Sequence, residues 1–321
     1  MGHILITGGG GFLGQRLAAR LTAADPGSVE LVLWDHVRPS LPEEAAPASR
    51  VLVGDLLDPA LRREAISTRL DAVIHLAAVV SAQAEEDFDL GMQVNFDGTR
   101  ALLEACRALA TRPRFVMTSS VAVFGGALPT RVPDWWATRP RSSYGAAKAI
   151  CELLVNEYSR RGFVDGRVLR LPTVVVRPGR PNRAASSFAS SMIREPLAGE
   201  EAVVPVEPNT PMWLMSPDRA VDALMHAVEL DAKSLGDDRV ISLPGLSVSV
   251  GEMASALGRA GGGEAAKRVS WQFDLPIATI VQSWPGDFEA TRAKGLGFEA
   301  DASMDEIIGQ HMAETGKGGG R

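Results

Sequence analysis

Residues 3–14 read His3-Ile4-Leu5-Ile6-Thr7-Gly8-Gly9-Gly10-Gly11-Phe12-Leu13-Gly14, an apolar run that meets a glycine cluster and passes at once into a helical pattern. The run His3 to Thr7 has the length and apolar character of a buried parallel strand. Gly8, Gly11 and Gly14 stand three apart. In a dinucleotide-binding turn, Gly8 permits the sharp exit from the strand and Gly11 lets the backbone approach a pyrophosphate. Gly14 lets the new helix pack close to the sheet. The pyrophosphate lies on the free N–H groups and positive dipole end of a helix that opens at Phe12 and Leu13. A glycine cluster by itself signals only a turn. The strand before it and the helix after it carry the nucleotide reading.

The chain has 321 residues, 45% of them hydrophobic and 22% charged, an ordinary globular composition. Its net charge of −6 argues against nucleic acid or an anionic membrane as partner. No run approaches the ~20 apolar residues of a membrane span, and no secretory signal is evident. Cys106 and Cys151 fit a reducing, cytoplasmic setting and read as buried free thiols. The five histidines show no metal-ligand spacing, so no metal is expected.

Strand and helix then alternate, the pattern of an α/β fold with a doubly wound parallel sheet. A helix is expected over Phe12–Ala24 and a strand over Val29–Trp34. Asp35 ends that strand, about 20 residues past the glycine turn, where an acid binds ribose hydroxyls and repels a 2′-phosphate. This favours NAD over NADP; Arg38 is the one hint of the latter. Arg50–Val53 is a third strand. Asp55 after it, with Leu56, faces the adenine edge or serves as a turn residue. A helix is expected over Pro59–Leu70, capped by Asp58. A fourth strand, Asp71–Leu76, runs into Leu76-Ala77-Ala78, whose small side chains let a cofactor lie close to the backbone. His75 reads as a core histidine. Ser81 is placed to bond a substrate hydroxyl. A long helix over Phe88–Leu109 contains Asn95, which is expected to hold the backbone of the strand carrying Ser120.

That fifth strand is expected over Arg114–Thr118 and leads to Ser120. Tyr144 and Lys148 follow on a helix over Ser143–Arg161, four residues apart and so on one face. A phenol with a pKa of ~10 is a poor base at neutral pH. A neighbouring ammonium, and the positive charge of an oxidised nicotinamide, favour its phenolate. Tyr144 can then take a hydroxyl proton as hydride leaves the carbon, Lys148 can grip the nicotinamide ribose, and Ser120 can donate to the reacting oxygen.

With Gly8, Gly11, Gly14, Asp35, Asp55-Leu56, His75-Leu76-Ala77-Ala78, Asn95, Ser120, Tyr144 and Lys148 together, the chain resembles the extended, epimerase-like short-chain dehydrogenases/reductases over essentially its whole length. The resemblance implies a seven-stranded Rossmann sheet, NAD, and Ser120, Tyr144 and Lys148 as the catalytic set. It also implies a homodimer built on the helices near 88–109 and 143–161. The family often carries Ser-x-x-x-Tyr-Gly; Phe124-Gly125 here removes one hydroxyl and leaves the set intact.

Segments of the second half, among them Val176-Arg177-Pro178-Gly179-Arg180-Pro181-Asn182 and Ser283-Trp284-Pro285-Gly286, resemble the branch that oxidises the 2-hydroxyl of the four-carbon sugar acid D-erythronate with NAD. A sugar acid needs a cation for its carboxylate, preferably a bidentate arginine. Arg177, Arg180, Arg183 and Arg194 are available, with Arg180 and Arg183 the preferred pair. Asn182 and Ser187 are candidates for substrate hydroxyls, and Pro172 and Thr173 for the turn beside the nicotinamide. A NAD-retaining nucleotide-sugar epimerase or dehydratase and a non-catalytic dinucleotide sensor are the competing readings. Residues 1–170 are expected to form the NAD-binding domain and 171–315 mainly a smaller substrate-binding lobe, with 316–321 a disordered tail.

Expected elements of the second half are strands at Ala202–Pro205 and Val240–Leu243, and a helix at Pro217–Leu230 capped by Ser216. A capping box at Ser249–Glu252 opens a helix that the glycines at 261–263 end near Ala260. A last helix is expected over Met304–Met312.

Overall fold

The computed structural model describes residues 2–179 and 184–318. Its strands are β1 (His3–Thr7), β2 (Glu30–Asp35), β3 (Arg50–Val53), β4 (Ala72–His75), β5 (Arg114–Ser120), β6 (Asp165–Leu171), β7 (Thr173–Val174), β8 (Ala202–Val204), β9 (Pro211–Met215), β10 (Val240–Ser242), β11 (Leu246–Ser249) and β12 (Val269–Trp271). The helices of the first half are α1 (Phe12–Ala24), α2 (Pro59–Ala65), α3 (Ser81–Glu86), α4 (Phe88–Met92), α5 (Gly98–Arg107) and α6 (Ser143–Arg160). Those of the second half are α7 (Ser187–Leu197), α8 (Pro217–Glu229), α9 (Ala232–Leu235), α10 (Val250–Lys267), α11 (Leu275–Gln282), α12 (Thr291–Gly295) and α13 (Met304–Gly318).

The chain divides into two compact units. The first takes the residues up to Ser120 with Ser143–Arg170 and Val221–Ile241; the second takes Val121–Ser142, Leu171–Ala220 and Ser242 onward. The first holds a seven-stranded sheet in the order β10-β6-β5-β4-β1-β2-β3. β1 pairs in parallel with β2 and with β4, β2 with β3, and β4 with β5. Read from β3, this is the doubly wound order, with its switch point between β1 and β4. The central strands are buried on both faces, which is why β1 and β4 are apolar without alternation. Leu5, Val32, Val73, Phe115 and Met117 share one core with Cys106 and Cys151. Both cysteines are free and buried.

The second unit has its own core, in which Phe188, Met192, Leu214, Met253, Leu257 and Ile308 meet. It carries the sheets β11-β9-β7 and β12-β8. The capping box is present: the Ser249 hydroxyl accepts from Glu252 N at 3.2 Å, and the Glu252 carboxylate accepts from Ser249 N at 2.6 Å.

Several expected boundaries move. The helix expected to reach Leu70 ends at Ala65, because Ile66 is already extended (φ −106°, ψ 107°). The single helix expected over Phe88–Leu109 is α4, a π-helical segment at Gln93–Asp97 and α5. β5 runs two residues further than expected and ends on Ser120 itself. The helix that opens at the capping box breaks at Gly262 (φ 75°, ψ 178°), within the glycines expected to end it, and a further helical stretch follows to Lys267. α13 runs through the first residues of the expected tail to Gly318, and 319–321 lie outside the described residues.

Gly14 acts differently from the expected helix-to-sheet contact. A Cβ there would stand 2.3 Å from Gly8 O and 2.8 Å from Gly9 Cα, so the close approach is to the turn itself. Gly14→Ala forces the first turn of α1 off the glycine loop and costs about 1–3 kcal/mol. Urea denaturation measures this; an unchanged midpoint would contradict the packing described.

Candidate active site

A cleft of about 600 Å³ lies at the carboxyl ends of the strands in the first unit. The turn after β1 contributes Gly8 and Gly11, the end of β2 Asp35 with His36 beyond it, the segment after β3 Gly54, Asp55 and Leu56, and the segment after β4 Leu76, Ala77, Ala78 and Val79. This is where a doubly wound sheet binds ligands. Gly8 has φ +73°, and a Cβ there would meet Ala77 N at 2.7 Å and Leu76 C at 2.9 Å. Glycine therefore serves both the turn and the close approach of two strand ends. At Gly11 a Cβ would have one near neighbour, Gly8 O at 3.2 Å, and would otherwise stand in the open cleft. Gly11 is also the N-cap of α1 and no side chain caps it, which leaves the first-turn N–H groups of Phe12 and Leu13 to an anion. The cradle fits a dinucleotide pyrophosphate.

Asp35 faces this turn. Its carboxylate accepts from Gly10 N at 3.0 Å and Val37 N at 3.2 Å, with His36 Nδ1 at 2.8 Å. It therefore shapes the glycine loop as well as lining the cleft. Asp55 is exposed on the cleft and accepts from Leu57 N at 2.8 Å. Gln83, Leu90 and Val94 also line the cleft. They come from the segment after β4, and nothing in their spacing marked them.

Asn95 does not hold the strand that carries Ser120. It is buried, accepts from Val79 N at 2.8 Å and donates to Val79 O at 3.0 Å. It braces the loop after β4, and both ends of its amide are spent there. The π-helical segment places it: the extra residue per turn re-aims a side chain that regular helix would point elsewhere. Ser81 is buried as the first residue of α3.

Ser120 is half-buried at the end of β5, and Tyr144 is half-buried in the first turn of α6. One turn on, Lys148 is 2% exposed. Its ammonium donates to Thr118 O at 2.8 Å and lies 5.7 Å from the centroid of the Tyr144 ring. Burial pushes the Lys148 pKa down to about 8, against the pull of Cys151 and Glu152. A cation so placed can favour a phenolate next to it. The sequence reading missed the cluster behind this pair: the Ser119 hydroxyl donates to Glu152 at 2.6 Å, and Arg170 grips Glu152 with two bonds, at 2.9 and 2.7 Å. The spacing of Lys148 and Glu152, one turn apart, was the available signal.

In the second unit, Pro172 precedes β7 and Thr173 pairs with Leu214 of β9. Arg194 donates to Arg177 O at 2.5 Å and pairs with Glu195 at 2.6 Å, so that guanidinium is committed within the unit. Ser187 opens α7. Arg180, Asn182 and Arg183 lie outside the described residues. Among the described residues no group of three His, Cys, Asp or Glu is placed to hold a metal ion, and no helix is long and apolar enough to cross a membrane.

The strand order and the glycine-lined cleft define a Rossmann-type dinucleotide-binding protein. The chain belongs to the NAD dependent epimerase/dehydratase family, whose profile matches residues 4–234. It is 54% identical to the D-erythronate dehydrogenase of Cupriavidus necator, over 98% of this chain and 99% of that one. It is 46% identical to the D-erythronate dehydrogenase of Haemophilus influenzae, over 96% and 98%. The crystal structure of a nucleoside-diphosphate-sugar epimerase from Agrobacterium tumefaciens superposes with a TM-score of 0.91 at 42% identity, covering 98% of this chain and 95% of that one.

His75 is fully buried between Thr7 Oγ1 at 2.7 Å and Thr99 Oγ1 at 2.9 Å, the core histidine expected. Burial, with the charge of Lys148, pushes its pKa down from 6.5 to about 3. Between these values the unfolded chain binds the proton and the folded one does not, so stability is full above the upper value and falls as pH drops through the window. In His75→Gln this contribution is absent. The stability advantage of the unaltered chain over the variant, measured by urea denaturation, shrinks as pH is lowered from 7 towards 4. A pH-independent difference would show that His75 protonates as readily folded as unfolded.

Proposed function

We propose that this chain oxidises the 2-hydroxyl of D-erythronate to the 2-oxo acid with NAD, using Tyr144 as the proton acceptor. Full-length similarity to two relatives that bear the D-erythronate dehydrogenase name supports the substrate. The observation that carries the chemistry is Lys148, a buried ammonium tied to Thr118 O one helical turn from Tyr144. Gly8, Gly11 and the first turn of α1 at Phe12 and Leu13 would hold the pyrophosphate, Asp35 the adenosine ribose, and Leu56 with Asp55 the adenine. Leu76, Ala77 and Ala78 would line the path between, held in place by Asn95. Bound NAD supplies the acceptor for the hydrogen and electron pair that leave the substrate carbon.

The protein's own work is then proton handling and orientation. Ser120 donates to the reacting oxygen and holds it at Tyr144. The Tyr144 phenolate takes the hydroxyl proton, and the Lys148 charge makes that phenolate accessible near neutral pH. The active form in this proposal is a homodimer through α5 and α6, where Ile150 and Leu153 of α6 are exposed, Leu153 at 71%.

NADH formation from D-erythronate, beside other four- to six-carbon aldonic and uronic acids and a nucleotide sugar, tests the reading. D-erythronate is expected to give the highest kcat/KM. Tyr144→Phe is expected to lower kcat by about 10²–10⁴-fold with NAD affinity retained, and near-normal turnover in that variant would sink the mechanism. Conversion of a nucleotide sugar without NADH release would support instead the epimerase chemistry for which the Agrobacterium protein is named. Tight NAD binding with no turnover of any compound would favour a sensor. Leu153→Glu is expected to convert the dimer to a monomer in sedimentation equilibrium; a monomeric unaltered chain would exclude the assembly.

A further inference from the structure

Glu152 stands one turn beyond Lys148 on α6 and is 3% exposed. Carboxylates are almost never buried to this extent unless they are paired. Glu152 has three bonds. Arg170 of β6 donates through Nε to Oε1 and through Nη2 to Oε2, the bidentate fork, and the Ser119 hydroxyl donates to Oε1. Ser119 lies between Thr118, whose carbonyl holds Lys148, and Ser120. The end of β5 is thus fastened to α6 by two side-chain bonds a turn apart, Lys148 to Thr118 and Ser119 to Glu152.

Packing alone does not call for ions at this place. Apolar residues of similar volume commonly replace a buried ion pair with no loss of stability. The pair has another property: it is the charge nearest along the helix to Lys148. On α6 itself Lys148 faces Tyr144, Cys151 and Glu152. From β4 it faces His75, which burial keeps neutral, and from β5 the Thr118 carbonyl. Burial likewise keeps the Cys151 thiol neutral. Asp97 of the π-helical segment acts on Cys151, but it is 40% exposed and pairs with Arg100, so solvent screens it. Among the described residues, the buried ion pair next to Lys148 is that of Glu152 and Arg170.

We propose that Glu152 and Arg170 are positioning residues for the proton acceptor: as one neutral unit they hold Lys148 and the Thr118–Ser120 strand end against α6 and set the net positive charge that Tyr144 experiences. The role rests on the reading of Tyr144 as proton acceptor, but the charge effect is measurable without any substrate. Removing the Glu152 charge takes away the carboxylate that Arg170 grips, makes the surroundings of Tyr144 more positive and lets its proton leave at lower pH. Removing Arg170 alone has the opposite sign. Removing both restores the balance.

The chain contains two tyrosines. The second, Tyr158, donates its hydroxyl to Glu104, and burial and that carboxylate push its pKa up to about 12. In a Tyr158→Phe background Tyr144 is the sole phenol, and ultraviolet difference absorbance of the full chain follows its ionisation. Glu152→Gln, which keeps the shape and an acceptor for Ser119, is expected to lower the midpoint by about half a pH unit or more. Arg170→Met is expected to raise it by a similar amount, and the double variant to return to within about 0.3 of the background. Thermal melting in parallel checks the fold. Should Arg170→Met alone fail to fold, Glu152→Gln and the double variant still decide the matter, because damage accumulates whereas charge effects cancel.

No shift in Glu152→Gln, shifts of one sign in both single variants, or a double variant further from the background than either single would overturn the proposal. If D-erythronate is turned over, the acid limb of its kcat–pH profile is expected to move in the same directions. Absence of turnover would count against the proposed activity and leave the titration to judge the ion pair.

Discussion

The structure hinges on the meeting of two strand ends at the switch point of the sheet. Gly8 leaves β1 with a positive φ and passes so close to Leu76 and Ala77 that no side chain fits between. That approach opens the cleft to backbone on both sides, and it requires the chain after β4 to stay in place. Asn95 meets this need by clamping Val79 through both ends of its amide. Asp35 does the equivalent for the glycine loop through Gly10 N. Polar side chains here act as fasteners for backbone, which can then present N–H groups and open space where a dinucleotide must lie.

A second constraint is the polar content of the core behind the cleft. Thr7, His75, Thr99, Lys148, Ser119 and Glu152 are all buried. Each found partners: His75 has two threonines, Lys148 a carbonyl, and Glu152 an arginine and a serine. Satisfied networks of this kind specify one arrangement of neighbouring elements, since any shift would leave a buried polar group without a bond. Here they tie β1 to β4, β4 to α5, and β5 and β6 to α6. The elements joined are the ones that carry the glycine turn, Ser120 and Tyr144.

Much of this was open to reading in one dimension. The glycine spacing, the acid after β2 and the Tyr144–Lys148 spacing are local signals, because each depends on backbone sterics or on helix periodicity within a few residues. The bounds of α1 and β3 followed from the same local rules. His75 was legible as a core residue for a simpler reason: the strand around it is apolar on both faces. By contrast, Asn95 is expected to hold the strand of Ser120 and instead clamps the loop after β4. Its aim depends on a π-helical segment, and an extra residue in a helical turn leaves no mark in apolar periodicity. The early end of α2 was hidden likewise, since packing on neighbours outweighs local propensity at helix ends.

By itself the sequence determined the chemistry available: a strand–glycine–helix unit that admits a pyrophosphate, an acid at the end of β2, and a phenol and an amine on one helical face. These are properties of short segments, and physical rules of short range suffice for them. The tertiary structure alone decided which groups share charge and hydrogen bonds. It brought Arg170 of β6 to Glu152 of α6, Ser119 of β5 to the same carboxylate, and Lys148 to the carbonyl beside them. Such partners lie far apart along the chain, and only the pairing and packing of strands and helices brings them within bonding distance.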